Sequence, residues 1–430
     1  MKNKFVKTTF ILIIGGFITK ILGMFIKIIM TRLLGTSGIG MYMLISPTFM
    51  LFISIASLGL PVAISKLVAE DKRNNKNLVF LCFPITLIIN FIIMIFLILT
   101  SDYIANNLLH EPRIKYALIC IGFVLPFISI SSIIRGYFFG KQKMLPHVIS
   151  NVTEDVIRLI VIMIGIPIFL IKGIEYALAF IVLSNIISEL TSIFILFFFL
   201  PKNFKITKKD LTFNKKNIKD VLGISLPTTG SRLIGNIGYF FEPIIMTYFM
   251  IKSGYSNEFI VSEYGIINGY VMPLVLLPSF FTLAISQAII PVISYNYSNG
   301  FLNIARKKIK QGIFFSLIIG IPATLIFLFI PEIPLNLIYN TNQGINYIKV
   351  MSIICLLHYI QSPISSSLQA MGKANDSMKG TLFGMIIRTI ALIIGCNLKI
   401  GMWSIIIATS LNIIFVTIYD YSKVRKYLKK

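Results

Sequence analysis

The stretch from Gly16 to Arg32, GFITKILGMFIKIIMTR, is apolar enough to lie in a bilayer, yet it carries Lys20 and Lys27. Gly16, Lys20, Gly23 and Lys27 fall at i, i+4, i+7 and i+11, so one helical face holds two small residues and two cations. A charge at mid-bilayer costs at least ~2.5–3.5 kcal/mol on insertion scales. Such residues face a watery cavity or an anionic partner, or else snorkel to the interface. Snorkelling suits Arg32, at the end of the run, better than Lys20, which sits inside it between two glycines.

Apolar runs of this kind recur along nearly the whole chain. Of its 430 residues, 56% are hydrophobic and 13% charged. That charged fraction is about half the usual share of a soluble domain. The mean hydropathy is +0.86, and the composition is that of a polytopic all-α membrane protein. The net charge of +24 invites nucleic acid as a partner, but the basic residues lie in short segments between apolar runs and no basic domain stands apart. Cys82, Cys120, Cys355 and Cys396 are scattered without CxxC spacing, and His110, His147 and His358 lie far apart. Neither set predicts a disulfide, a metal site or a cofactor. The lysines before the first apolar run resemble a signal peptide, but the run continues past Lys20 with no small-x-small site, which predicts a retained helix.

About twelve spans are expected, near 8–31, 41–66, 78–100, 116–138, 148–171, 174–200, 218–250, 265–293, 309–331, 345–368, 378–397 and 401–420. Pro47, Pro61, Pro126, Pro227, Pro243, Pro273 and Pro278 fall inside spans and mark kinks. Lys and Arg crowd alternate connections, from Lys2, Lys4 and Lys7 to Lys423, Arg425, Lys426, Lys429 and Lys430. The other side holds only Arg32, Arg113, Lys115, Lys172, Lys252, Lys349 and Lys399. The positive-inside bias predicts a multi-pass protein of the cell membrane with both termini cytoplasmic.

The longest polar connection divides the chain into an N-terminal six-helix lobe (1–200), a basic cytoplasmic linker (201–217) and a C-terminal six-helix lobe (218–430). The halves echo each other. Lys20-Ile-Leu-Gly23 recurs as Arg232-Leu-Ile-Gly235, and Ala63-Ile64-Ser65 as Ala284-Ile285-Ser286. Ser131-Ser132, Gly140-Lys141 and Arg158 recur as Ser366-Ser367, Gly372-Lys373 and Arg388. Three matches in one order indicate a duplication, the pattern of a two-lobed transporter with its site between the lobes.

Arg135–Arg158, RGYFFGKQKMLPHVISNVTEDVIR, carries a family resemblance, as do Thr31–Pro47, TRLLGTSGIGMYMLISP, and Gly59–Asp71, GLPVAISKLVAED. Leu277–Pro291, LPSFFTLAISQAIIP, and Gln369–Lys373 add to it more weakly. The sequence resembles the polysaccharide-transport family of stage V sporulation protein B. That family belongs to the superfamily of multidrug extruders, oligosaccharide-lipid flippases and the lipid II flippase. The resemblance implies two six-helix lobes around a central cavity. It also implies the flipping of an undecaprenyl-pyrophosphate-linked sugar, such as a peptidoglycan precursor for cell wall or spore cortex. Cations on the first helix line the lipid II flippase's cavity; Lys20, Lys27 and Arg32 match that placement, with lysine in place of arginine at the inner positions. Lysine binds phosphate as a point charge and not as a bidentate fork.

Arg232, Asn236, Tyr239 and Pro243 form a stripe on span seven equivalent to the one on span one. If the two spans face each other, Lys20, Lys27 and Arg232 converge and need a counter-ion. A pyrophosphate supplies one; so do the sparse acids Glu189 and Glu242, although Glu242 lies roughly 80° round the helix from Arg232. Glu154 and Arg158 are an i, i+4 pair in the stabilising order, read as structural or as a gate. Arg135 and Arg388 sit near helix ends as interfacial anchors or gating residues. A drug/cation antiporter, the alternative transport class, wants buried carboxylates, whereas basic residues dominate the spans here. An enzyme acting on lipid-linked sugars needs substantial outer loops, and Ser101–Lys115 and Lys252–Tyr264 hold no paired catalytic set. The expected partners are a lipid-linked oligosaccharide or lipid II-like substrate and the membrane lipids, with ion coupling left open.

Overall fold

The structure, a computed structural model, describes residues 2–70, 74–200 and 215–429, without the side chains of residues 2–10, 13, 231, 234 and 429. Fifteen α-helices and short π- and 3₁₀-turns make up the described residues, and no strand occurs among them. The helices are α1 (Lys2–Ala56), α2 (Leu60–Glu70), α3 (Asn75–Tyr103), α4 (Lys115–Gly140), α5 (Met144–Leu170), α6 (Ile174–Phe198) and α7 (Lys215–Lys252). They continue with α8 (Asn257–Gly265), α9 (Met272–Val275), α10 (Ser279–Ser298), α11 (Leu302–Phe329), α12 (Glu332–Tyr339), α13 (Ile345–Ala370), α14 (Ala374–Asn397) and α15 (Trp403–Lys429). Among the described residues, ten helical runs are long and apolar enough to cross a membrane. The chain is a multi-pass all-α membrane protein.

Two expected spans are interrupted. The 55 residues of α1 would extend roughly 80 Å as one straight helix, far beyond a ~30 Å hydrocarbon core. The run divides at Gly35, whose φ of 67° and ψ of −173° leave helical space, a conformation open to glycine at little cost. The second span, expected as one helix over 41–66, breaks again at Leu58 and Gly59 (φ 46° and 58°) before α2 begins. The eighth span, expected over 265–293, breaks at the corresponding place. It runs through α8, a π-turn over Ile266–Val271 and α9, and restarts as α10 after Leu276–Pro278. Pro61 and Pro278 lie beside these breaks; a proline ring removes a helical N–H and clashes with the preceding turn. The equivalent Ala-Ile-Ser triplets follow both breaks.

By packing, the chain forms two units, Met1–Ile244 and Ile245–Lys430, which divide inside α7. Most of the linker expected over 201–217 lies outside the described residues. In the first unit, Leu58, Leu60, Ile64, Leu78, Cys82 and Ile133 form a buried cluster that Val221 of α7 completes. Asn217 of α7 donates to Asn77 Oδ1 of α3 at 2.9 Å. Ser129 of α4 donates to the Ala56 carbonyl at 3.1 Å and accepts from Asn90 of α3 at 3.0 Å. In a membrane, small residues and such interhelical bonds take over the packing role of bulky apolar side chains. In the second unit, Ile293, Ile309, Ile364, Leu368 and Val424 join α10, α11, α13 and α15. Tyr359 Oη reaches the Val275 carbonyl of α9 at 2.5 Å.

Gly136 is one of the places where α4 meets α2 closely: a Cβ there would lie 2.9 Å from Pro61 Cα. Gly136→Val is expected to lower the melting temperature of the purified protein, at a cost of ~1–3 kcal/mol for overpacking. Gly223→Ala, in open space, is expected not to. Equal melting temperatures for the two variants would contradict this packing.

Candidate functional site

Two groups of charged residues emerge in the first unit, one joined by ion pairs and one, Lys20, Lys27 and Arg232, with no ion pair among the described residues. The paired group joins α4, α5 and α6. Arg135 Nη2 donates to Glu154 Oε2 at 2.5 Å and to Ser192 Oγ at 2.7 Å, and stands 3.6 Å from Glu189 Oε2. Arg158 Nη2 donates to the other oxygen of Glu154 at 2.7 Å, its Nε to Ser188 Oγ at 3.4 Å, and its Nη1 lies 4.0 Å from Asp155. Glu154 thus bridges two guanidiniums, and its side chain is only 10% exposed. The helical repeat sets Glu154 and Arg158 one turn apart, while the packing of α4 and α6 on α5 brings up Arg135 and Glu189.

Buried charges of this kind are held by their partners: removing one leaves the other uncompensated, at a cost of ~3–5 kcal/mol. The cluster is not fully bonded, since Arg135 Nε and Glu189 Oε2 have no hydrogen-bond partner. The charges of Glu154, Asp155 and Arg158 interrupt the apolar stretch of α5, which is not among the ten apolar runs. Arg135 is a member of this cluster and not a solitary interfacial anchor. Glu189 pairs with Arg135 here, so it is not spare counter-charge for the lysines of α1.

The second group, Lys20, Lys27 and Arg232, lies on α1 and α7. Lys20 is exposed and Lys27 half-buried, and the glycines beside Lys20 border open space: a Cβ at Gly16 or Gly23 would meet nothing within 4 Å. Arg232 is likewise exposed, and Gly230 and Gly235 beside it are equally open. Among the described residues, Lys20, Lys27 and Arg232 form no ion pair. Arg32 is exposed near the Gly35 break. Asn236 differs from these: its Nδ2 donates to Ser54 Oγ at 2.5 Å and ties α7 to α1. Glu242 is half-buried on α7, and Arg388 is half-buried on α14 of the second unit. Among the described residues, no group of three or more His, Cys, Asp or Glu side chains could hold a metal ion.

The chain matches solved transporter structures in its helical order. It superposes on a multidrug resistance MATE family transporter of the MOP superfamily, solved in an inward-facing conformation. The TM-score is 0.76 at 18% identity, covering 96% of this chain and 94% of that one. Residues 5–296 match the family described as polysaccharide biosynthesis protein, and residues 233–394 match MatE. Over 99% of its length the chain is 35% identical to stage V sporulation protein B of Bacillus subtilis (strain 168), covering 85% of that protein. It is 22% identical to lipid II flippase MurJ of the same organism, over 99% of this chain and 84% of that one. The chain belongs to the polysaccharide biosynthesis protein family, in agreement with the resemblance carried by the motifs around Arg135–Arg158.

Glu154→Gln is expected to destabilise the protein by ~3–5 kcal/mol, because both arginines lose their shared acceptor. Glu154→Gln combined with Arg158→Gln should cost less than the sum of the two single changes, and Lys20→Gln should leave the melting temperature unchanged. Thermal unfolding in detergent measures all three, and a neutral Glu154→Gln would contradict the structural role.

Proposed function

We propose that the protein moves an undecaprenyl-pyrophosphate-linked sugar from the inner to the outer leaflet by alternating access between its two lobes. Lys20, Lys27, Arg32 and Arg232 receive the pyrophosphate. The observation that carries this reading is that Lys20, Lys27 and Arg232 stand on membrane-spanning helices, beside uncovered glycines, with no carboxylate among the described residues in an ion pair with them. Cations so placed lack the compensation that Arg135 and Arg158 enjoy, and a passenger with two phosphates supplies it. The names of the relatives, a sporulation protein and a lipid II flippase, fit such a passenger. Asn236 joins the site only by giving up its bond to Ser54, which suits a residue that reports occupancy to α1.

Both termini face the cytoplasm in this scheme, and the residues over 201–217 link the lobes. An anionic headgroup leaving a negative cytoplasm gains ~2.3 kcal/mol per charge per 100 mV, so the membrane potential favours outward transfer. An antiporter of the same superfamily would instead need free buried carboxylates. In the first unit Glu154 and Glu189 are held by arginine. Among the described residues, Asp420 of α15, buried, in no ion pair and accepting from Ser365 Oγ at 2.5 Å, is the foothold for cation coupling.

Losing one charge-assisted contact costs ~1.5–3 kcal/mol, at least about tenfold in affinity. Lys20→Ala and Arg232→Ala are therefore expected to abolish replacement of stage V sporulation protein B in B. subtilis while membrane abundance stays normal. Lys20→Arg should be tolerated better than Lys20→Gln. Spore cortex measured by microscopy and muropeptide yield reads the outcome; normal cortex with both alanine variants would refute the site. Asp420→Asn should leave cortex intact, whereas its failure would favour the cation-coupled alternative.

A further inference from the structure

We propose that a groove between α11, α13 and α15 of the second unit binds an anionic phospholipid, with its phosphate on Arg306, Lys310 and Arg425 and its acyl chain along the groove. The groove has a volume of about 880 Å³. Its floor is the packed core of this unit, including Ile309, Ile364, Val424 and Leu428, and its walls include Ile313 and Phe314. Three cations line it and no carboxylate does. Among the described residues, Lys310 and Arg425 form no ion pair. Arg306 Nη2 donates to the Leu428 carbonyl at 2.6 Å, which pins the guanidinium between the start of α11 and the end of α15.

A second recess of about 490 Å³ adjoins the groove through Arg306 and Leu428 and extends to Gly300 and Asn303. It lies at the first turn of the 28-residue α11, whose N-cap, Phe301, makes no side-chain cap. The positive dipole of that helix end favours an anion. An apolar trough that opens onto a polar, cation-rimmed recess matches one chemistry: a hydrocarbon chain ending in a phosphate. Basic pockets between spanning helices hold anionic headgroups by this combination. Interfacial snorkelling accounts for basic residues at helix ends, but it predicts no preference among lipids and no dependence on one groove. This site is separate from Lys20 and Arg232 and stands whether or not they bind the passenger.

The test is native mass spectrometry of the full chain in detergent, titrated with phosphatidylglycerol or with phosphatidylcholine of the same acyl chains. Wild-type protein should retain phosphatidylglycerol with a preference of about tenfold, the worth of one 1.4 kcal/mol step. Lys310→Gln with Arg425→Gln should bring the two lipids near parity, and Ile313→Trp, which fills the trough, should reduce retention of phosphatidylglycerol. Lys66→Gln with Lys143→Gln, basic residues of the first unit, should keep the preference. Equal retention of both lipids by wild type, or a preference that survives the Lys310/Arg425 double variant, overturns the proposal.

Discussion

A charge inside hydrocarbon must be answered by an opposite charge, by water or by a passenger, and the layout of the first unit follows from that requirement. Arg135 and Arg158 are answered within the fold by Glu154, with Glu189, Asp155 and two serines completing the shell. The cost of breaking such a cluster exceeds the worth of an ordinary helix contact several times over. It therefore fixes the mutual packing of α4, α5 and α6. Among the described residues Lys20, Lys27 and Arg232 have no such ion pair, and this contrast separates residues that hold the lobe together from those proposed to hold a passenger.

The helices were legible because hydropathy and length suffice to mark a span. Span limits near 116–138 and 345–368 sit within a few residues of α4 and α13. The breaks in the second and eighth spans were only hinted at, by Pro61 and Pro278, because a proline marks a kink without saying whether the helix bends or stops. The outcome rests on backbone geometry at Leu58, Gly59 and Leu276–Pro278, which no periodicity encodes. In α15 the helix continues past the expected end at 420 to Lys429, since an amphipathic tail stays helical after its hydropathy has fallen.

The charged cluster was half legible. Glu154 and Arg158 are one turn apart, so helical spacing predicts their contact. Arg135 lies 19 residues from Glu154 and Glu189 belongs to another helix, so only tertiary packing brings them in. Charge balance was the available signal, because Glu154, Asp155 and Glu189 lie inside expected spans of this half, as Arg135 and Arg158 do. Asn236 was legible only as part of a polar stripe; no spacing in the sequence shows that its amide also donates to Ser54 of α1.

The central claim is that the unpaired cations of α1 and α7 exist for a pyrophosphate. The most direct measurement is the thermal shift of the purified protein on adding undecaprenyl pyrophosphate, set against undecaprenol, which has the same tail without phosphate. A ligand that binds only the folded protein raises its melting temperature. The account predicts a rise with undecaprenyl pyrophosphate alone, lost when Lys20, Lys27 and Arg232 are all changed to alanine. An equal rise with undecaprenol, or a rise that persists in the triple variant, would contradict it.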